Sequence, residues 1–201
     1  LCAEATLSSP AKYYYACKHC EQKGTTTYTH GESRPSIWVR GYYVDKFGDK
    51  TDAWYIKLRN KVDGTFSNTA TTNSALWADI TYDQSRNSDN DGLDDISIFL
   101  YEYANEDNLV KNGSSRYSEY YKITIKNGDG KTIEVRGKIY AGSDRIHIIE
   151  EDVSTVLDMM KTSTTMRFHI QNEDRPATIY RFDLDLTDCV YVRNQIIYGA
   201  P

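Results

Sequence analysis

The chain alternates hydrophobic and polar residues from position 37 onward, which is the pattern of strands that bury one face. In the segment "AWYIKLR", Trp54, Ile56 and Leu58 fall on one face, and Tyr55 and Lys57 fall on the other. The same alternation recurs in "ALWADITYD", "YKITIKN", "KTIEVRG", "RIHII", "MRFHIQ" and "TIYRFDLDL". The pattern predicts a mainly β fold with about eight to ten strands.

The segment "DISIFLYEY" is apolar on both faces, unlike the other predicted strands. Ile96, Ile98 and Leu100 fall on one face, and Phe99 and Tyr101 fall on the other. A strand that is apolar on both faces is typical of a buried position in a sheet. We therefore expect this segment to form a central strand that is covered on both sides.

The clearest hairpin lies in "YKITIKNGDGKTIEVRG". Asn127–Gly130 supplies Asn, Asp and Gly residues that tolerate a positive φ angle, as tight hairpin turns require. On the strand before the turn, Tyr121, Ile123 and Ile125 share one face, which we expect to point into the core.

The segment "EEDVSTVLDMMKTS" departs from the period of two and predicts a helix. Its apolar positions i, i+3, i+4 and i+7 are Val153, Val156, Leu157 and Met160. Acidic residues stand at its start and a lysine near its end, which matches the direction of the helix dipole. The sequence thus predicts one short helix over residues 151–161.

The first 35 residues differ from the rest because they carry three of the four cysteines and end at Pro35, after a polar run. A polar run closed by proline is typical of a linker, so we place a domain boundary there. Residues 1–35 are predicted to form a small Cys-containing module. For residues 36–201 we expect an antiparallel β-sandwich or open barrel with one short α-helix.

Composition and charge exclude some classes of function. The net charge is −5, whereas nucleic-acid binders usually carry a basic surface. No apolar run approaches the roughly 20 residues that a membrane-spanning helix needs. No secretory signal peptide is recognisable, and we expect any targeting signal to lie outside these residues. The 17 tyrosines suit strands, because a tyrosine ring packs on a sheet while its hydroxyl stays hydrated.

Cys17 and Cys20 form a CxxC pair, which is a common first half of a structural zinc site. Further ligands could come from Cys2, from Cys189 or from a histidine. The alternatives are structural disulfides, idle thiols or a redox pair, although no βαβ pattern surrounds the cysteines. Zinc bound by Cys17, Cys20 and Cys2 is therefore one candidate, and disulfides are the competing interpretation.

The stretch "EATLSSPAKYYYACKHCEQKGTTTYTHGE" resembles a short CxxC module that recurs in surface proteins of anaerobic Firmicutes. Cys17 and Cys20 fall on the CxxC of that module. Its preceding cysteine falls on Leu7, which cannot bind a metal, and Cys2 would have to replace it. The resemblance implies a structural module, either zinc-ribbon-like or stabilised by disulfides, in a secreted or cell-surface bacterial protein.

A second resemblance covers residues 37–187, through "VDKFGDKT", "GTFSNTATTNSAL", "ISIFLYEY" and "RYSEYYKITIKNGDGKTIEVRG". These segments are similar to a β-rich accessory domain found in bacterial proteins of diverse architecture. The resemblance implies an accessory module and indicates no substrate.

The segment "NSDNDGLDD" has the spacing of a calcium-binding loop. Asn87, Asp89 and Asp91 stand at positions 1, 3 and 5, Gly92 provides the sharp turn, and Asp95 follows at position 9. The bidentate acid of an EF-hand is absent at position 12, so the loop more closely resembles the calcium loops of thrombospondin type 3 repeats. The alternative is a polar connection whose Asn, Asp and Gly residues favour turns.

Two further groups could carry chemistry, but each has a simpler explanation. Asp183 and Asp185 share a strand face, and alternation on a solvated face accounts for them. His147 and His169 are predicted to point outward and could meet across a sheet to bind a metal, but solvated strand positions are the favoured explanation. No standard hydrolase or phosphate-binding motif is present.

Together these observations predict a noncatalytic module of a bacterial secreted or cell-surface protein, with an adhesion or spacer role. Its partner would be a protein or a glycan of unknown identity. The alternative is a carbohydrate-binding module of a larger secreted enzyme, in which Trp38, Trp54 and Trp77 would stack on sugar rings if they were exposed. Strand phase places Trp54 in the core.

Overall fold

The structure, a computed structural model, describes residues 37–84 and 94–186 apart from the side chains of residues 52, 84 and 94. It also gives the backbone of three strands nearer the start of the chain. The chain divides into two compact units, residues 1–35 and residues 36–201.

The first unit contains a small antiparallel sheet. Its strands are β1 (Cys2–Ser8), β2 (Lys12–Cys17) and β3 (Lys23–Thr27), in that order across the sheet. The backbone register places Cys2 at the start of β1 opposite Cys17 at the end of β2. Two of the cysteines therefore lie at the same end of this sheet.

Within its described residues, the second unit contains ten strands, one α-helix and a short 3-10 helix. The elements are β4 (Trp38–Val44), β5 (Lys50–Leu58), β6 (Val62–Ser67), β7 (Ser74–Gln84), β8 (Asp94–Glu102), the 3-10 helix (Glu106–Asn108), β9 (Glu119–Asn127), β10 (Thr132–Ile139), β11 (Ile146–Ile148), α1 (Glu150–Thr162), β12 (Thr165–Asn172) and β13 (Ile179–Asp185).

Eight of these strands form a closed antiparallel barrel. The order around the barrel is β7, β6, β13, β12, β9, β10, β11 and β8, and β8 then pairs with β7. The ring closes because β8 pairs along both of its edges. Ile98 of β8 lies opposite Ile80 of β7 on one side and opposite Ile146 of β11 on the other. Closure leaves no strand of the ring with an unpaired edge.

Strands β4 and β5 extend from the barrel wall. β6 and β5 lie along the same edge of β7, β6 against residues 74–78 and β5 against residues 81–84. β4 then pairs with β5 as a hairpin. The indole nitrogen Nε1 of Trp38 donates a hydrogen bond of 3.4 Å to the carbonyl oxygen of Asp185, which ties the hairpin to the end of β13.

Alternation decides which side chains fill the barrel. Eight strands enclose a space just wide enough to be filled by side chains. The most deeply buried side chains of the ring include Phe66, Ile80, Ile98, Leu100, Tyr121, Ile123, Ile125, Ile170 and Leu184. In β8 and β9, the buried hydrophobic residues are those that the alternating pattern placed on the core face. Residues at the intervening positions point outward.

Helix α1 packs its apolar stripe into the same core. Val153, Val156, Leu157 and Met160 are buried as predicted, together with Met159. The helix start is fixed to β10, where the carboxylate of Asp152 accepts a hydrogen bond of 2.8 Å from the backbone of Arg136. In the described part of the chain, no helix is long and apolar enough to span a membrane.

The predicted mainly β fold with a single α-helix is confirmed for the described residues. The barrel is closed, whereas the sequence predicted a sandwich or an open barrel. Closure depends on two residue pairs between β8 and β11, Ile98 with Ile146 and Ser97 with His147. A contact this short leaves no pattern in the linear sequence.

The prediction that β8 is covered on both sides is wrong. Its outer residues Phe99 and Tyr101 are only half-buried. Cationic side chains lie on these rings instead of a second layer, with Arg145 Cζ 4.5 Å from the ring centre of Phe99 and Lys61 Nζ 4.7 Å from that of Tyr101. The apolar outer face of β8 therefore binds cations within the protein.

Shortening a side chain at the point of closure should destabilise the barrel strongly. Ile98→Ala removes a fully buried side chain from the strand that closes the ring, so we expect a loss of about 2–5 kcal/mol in the free energy of unfolding. Urea unfolding should show a lower midpoint with an unchanged slope. Lys126→Ala, at an exposed position of β9, is the control and should change stability by less than about 0.5 kcal/mol.

Candidate functional site

Polar and aromatic side chains gather on the outside of the barrel along β7 and β8. The outward positions of these strands, called here the outer face, are Trp77, Asp79, Thr81 and Asp83 of β7 and Asp95, Ser97, Phe99 and Tyr101 of β8. Because the strands pair in register, Asp83 lies opposite Asp95 and Trp77 lies opposite Tyr101. Side chains that are directly opposite in a sheet are within contact distance.

Asp95, Ser97 and His147 form a hydrogen-bonded cluster where β8 meets β11. The Ser97 hydroxyl donates to Asp95 Oδ2 at 2.8 Å. Nδ1 of His147 lies 3.1 Å from both carboxylate oxygens of Asp95 and 3.3 Å from the Ser97 hydroxyl. The carboxylate therefore accepts the proton of Nδ1, and Nε2 is left as the acceptor of the neutral ring.

The cluster has the residue types of a Ser-His-Asp triad but not its geometry. In a triad the serine bonds one ring nitrogen of the histidine and the aspartate bonds the other. Here Ser97 and Asp95 approach the same nitrogen of His147, and the Ser97 proton goes to Asp95. Ser97 is also only 4% exposed. His147 thus cannot withdraw the Ser97 proton through Nε2, and Ser97 is not an activated nucleophile.

The pKa of Asp95 is lowered by its partners. Burial acts to raise this pKa, but the hydrogen bonds from His147 and Ser97 and the positive charge of nearby Arg145 outweigh it. The cluster therefore holds Asp95 as a carboxylate at neutral pH.

Asp83, directly across from Asp95, has the opposite behaviour. Burial raises its pKa, the hydrogen bond from the Tyr43 hydroxyl lowers it, and the charge of Asp95 raises it further, with a net increase. Asp83 Oδ1 is shielded from solvent and has no hydrogen-bond partner among the described residues. A buried carboxylate oxygen without a donor is unfavourable, so Asp83 is the least satisfied member of this group.

Aromatic and cationic side chains flank the cluster on both sides. The Tyr140 ring meets the His147 ring edge-on with centres 5.2 Å apart, and Lys138 Nζ lies 4.2 Å from the centre of Tyr140. On the β5 side, the rings of Tyr43 and Tyr55 are 5.2 Å apart. The resulting surface combines hydrogen-bonding groups with exposed aromatic rings, which is the composition of many recognition surfaces.

The predicted metal residues fall mostly outside the described part of the chain. Cys20, Asn87, Asp89 and Asp91 lie outside it, and Cys2 and Cys17 are described by their backbone only. Asp95 is described and bonds Ser97 and His147. Among the side chains that the structure describes, no group of three or more His, Cys, Asp or Glu residues is arranged to hold a metal ion. The zinc and calcium sites stay predictions.

The other candidates predicted from sequence do not come together. His147 lies on β11 and His169 on β12, which β9 and β10 separate around the barrel, so the two histidines cannot share a metal. Asp183 forms a bidentate ion pair with Arg167 at 2.9 and 3.1 Å on the exposed face. Asp185 is also exposed, as expected for a solvated strand face.

Sequence reasoning missed Asp83, Ser97 and Tyr43. Alternation assigns residues to a strand face, but it carries no information on the neighbours of a side chain. Ser97 and His147 are 50 positions apart and meet only because β8 pairs with β11.

Comparisons with protein-family models, with curated proteins and with solved structures found no match for this chain.

The two aspartates should respond to pH with opposite signs. Asp95→Asn is expected to cost on the order of 1 kcal/mol at pH 7, because a charged hydrogen-bond acceptor is lost. The lowered pKa of Asp95 stabilises the fold above about pH 4, the ordinary value for Asp, and this contribution disappears as the pH falls through the lowered pKa. The difference between variant and wild type should therefore vanish in acid.

Asp83→Asn provides the matched comparison. Its raised pKa means that the wild type loses stability as the pH rises from about 4 through that raised value. The Asn variant avoids this loss and should be more stable at pH 7. Urea midpoints measured from pH 3 to pH 8 test both signs, and equal pH profiles for the two variants would contradict the assignment.

Proposed function

We propose that this chain is a noncatalytic binding module of a bacterial secreted or cell-surface protein, with an adhesion role carried by the outer face. The observation that supports this most directly is the geometry of Asp95, Ser97 and His147. Serine and aspartate bond the same ring nitrogen of the histidine. These hydrogen bonds hold the three side chains in place on the surface and do not activate the serine as a nucleophile.

Exposed recognition groups favour adhesion over a spacer role. A spacer needs only a stable barrel and a solvated surface. Here Tyr43 and Tyr140 are 42% and 46% exposed, beside the half-buried His147 and the incompletely bonded Asp83. Aromatic residues are enriched at surfaces that bind a partner. The partner proposed is a protein or a glycan.

The location of the protein and the metal sites remain proposals on sequence grounds. The resemblance of residues 3–32 to a module of surface proteins supports a secreted or cell-surface bacterial origin. The register that places Cys2 opposite Cys17 supports a shared role for these residues, either as zinc ligands with Cys20 or in a disulfide.

Adhesion can be measured with beads that carry the whole chain. Attachment under flow to mucin or to fibronectin should exceed attachment to albumin, and the double substitution Asp83→Ala with His147→Ala should reduce it at least fivefold. The matched control replaces Lys122 and Glu134, an exposed ion pair on β9 and β10, and should leave attachment unchanged. Equal attachment to all three coatings would indicate a spacer.

The noncatalytic assignment is tested on the same protein. Glycoside, ester and peptide substrates should show no turnover above background. Any turnover that follows the purified chain and disappears in His147→Ala would establish an enzyme, because it would require His147 Nε2 to act as a base.

Calcium binding by Asn87, Asp89, Asp91 and Asp95 would complement this surface. Asp83 lies before the segment 87–95 and Asp95 ends it, and the register places the two carboxylates opposite each other. Negative charge is therefore concentrated at the base of the segment. Oxygen ligands favour calcium, and without an acid at position 12 we expect a weak dissociation constant, on the order of 10⁻⁴–10⁻³ M.

Calcium should therefore stabilise the protein measurably. At ten times the dissociation constant, binding adds about 1.4 kcal/mol, which corresponds to an increase of a few degrees in melting temperature. Asp91→Ala should abolish this increase, while magnesium at the same concentration should produce less of it. If the melting temperature does not change with millimolar calcium, the calcium prediction is wrong and residues 87–95 are only a polar connection.

A further inference from the structure

The outer face ends in a groove beside Trp77, at the opposite end of β7 from Asp83. Its volume is about 440 Å³, and its walls include Lys57, Asn60, Lys61, Trp77, Asp79 and Glu106. This volume falls within the roughly 300–1,000 Å³ typical of small-molecule sites. The groove thus combines an aromatic ring, carboxylates, amines and an amide within reach of one ligand.

Trp77 differs from the other two tryptophans. Trp38 and Trp54 are 2% and 5% exposed and belong to the core, so Trp54 is buried as strand phase predicted and neither ring can stack on a sugar. Trp77 is half-buried and lines the groove on the outside of the barrel. It is therefore the one tryptophan of the chain that a ligand can reach.

Lys61 is held at the rim of the groove by defined contacts. Its Nζ forms an ion pair of 2.7 Å with Glu106 and lies 4.7 and 5.8 Å from the ring centres of Tyr101 and Trp77. These contacts place the ammonium group at the rim of the groove, between Glu106 and the two aromatic rings.

Asp79 supplies the acceptor of the groove. It is half-buried, and Oδ1 has no hydrogen-bond partner among the described residues. Burial raises the pKa of Asp79, against smaller opposing effects of the Ile80 backbone, Lys57 and Lys61. Because Oδ1 is shielded from solvent, a ligand hydroxyl would bond the other carboxylate oxygen, Oδ2, and so offset part of the unfavourable desolvation of the group.

We propose that the groove binds a neutral sugar, with one pyranose ring stacked on Trp77 and its hydroxyl groups hydrogen-bonded to Asp79 and Lys57. Sugar rings present apolar C–H faces to aromatic rings, and their hydroxyls both donate and accept hydrogen bonds. The carboxylate of Asp79, the amine of Lys57 and the aromatic face of Trp77 match these two properties.

The charge of the groove argues against other ligand classes. The basic residues Lys57, Arg59 and Lys61 oppose a cation. The carboxylates of Asp79 and Glu106 oppose a phosphate or another strong anion. A neutral polyhydroxyl compound uses both kinds of groups without burying an unpaired charge. The proposal deepens the adhesion function by naming a ligand class, but it rests on different residues from the cluster of Asp83, Asp95 and His147.

The experiment begins with a glycan array that carries neutral and uronic-acid oligosaccharides. Cellotetraose, xylotetraose, the best-binding neutral glycan and tetragalacturonate are then titrated by calorimetry against the whole chain. A neutral oligosaccharide should bind, and Trp77→Ala and Asp79→Asn should each weaken binding at least tenfold. Asp183→Asn changes an exposed carboxylate on β13 and is the matched control, with an expected change below twofold.

Two further measurements separate loss of the site from loss of the fold. Asp79→Asn should not lower the melting temperature, because burial already disfavours the charged form of Asp79. Acrylamide should quench Trp77 selectively, since Trp38 and Trp54 are buried, and the bound sugar should reduce this quenching. Trp77→Phe should remove the quenchable emission while it retains an aromatic face.

Three results would overturn the proposal. These are no binding of any oligosaccharide to the wild type, binding that survives both groove substitutions, and binding of tetragalacturonate alone, which would make the groove an anion site. If bead attachment still depends on Asp83 and His147 in any of these cases, the adhesion function stands without the sugar site.

Discussion

The pairing of β8 along both of its edges is the constraint on which the rest of the structure depends. It closes the sheet at Ile98, and closure commits alternate residues of every strand in the ring to the interior. Since an eight-stranded barrel is filled by its own side chains, the interior holds hydrophobic residues such as Ile123 and Ile125. Chemistry that the chain offers to a ligand must therefore stand on the outside, and the same pairing brings His147 of β11 next to Ser97 of β8.

The outer face also has to accommodate two carboxylates that the register places directly opposite each other. Like charges at such positions are destabilising. The two carboxylates have different partners. Asp95 accepts hydrogen bonds from Ser97 and His147, while Asp83 accepts one from Tyr43. Tyr43 belongs to the β4–β5 hairpin, which reaches this point because β5 shares an edge of β7 with β6. The extension of the barrel thus has a local electrostatic role, which its position in the topology alone would not reveal.

Much of the fold follows from period-2 alternation, because a strand that buries one face needs apolar residues at every second position of the sequence. Trp54, Ile123 and Ile125 are buried as that pattern predicts, and the helical stripe of Val153 and Val156 predicts α1. Strand order leaves no such mark, since it depends on contacts between distant segments. The site is hidden for the same reason, because alternation places His147 outward but cannot show that Asp95 is its partner. Trp38 illustrates the limit at a single residue, because its indole nitrogen bonds the backbone of Asp185, 147 positions away along the chain.

The aromatic residues on the outside of the barrel differ in how closely a cation of the same chain approaches the ring. Arg145 lies on Phe99 and Lys61 lies on Tyr101, each within 5 Å of the ring centre, so these two half-buried rings already contact cations of the same chain. Lys61 approaches Trp77 less closely, at 5.8 Å, and Glu106 holds its ammonium group toward the rim. A ligand at Phe99 would have to displace an internal cation, whereas a ligand at Trp77 would meet a ring that faces a groove. Among Phe99, Tyr101 and Trp77, the cation thus lies farthest from Trp77, the ring of the proposed sugar site.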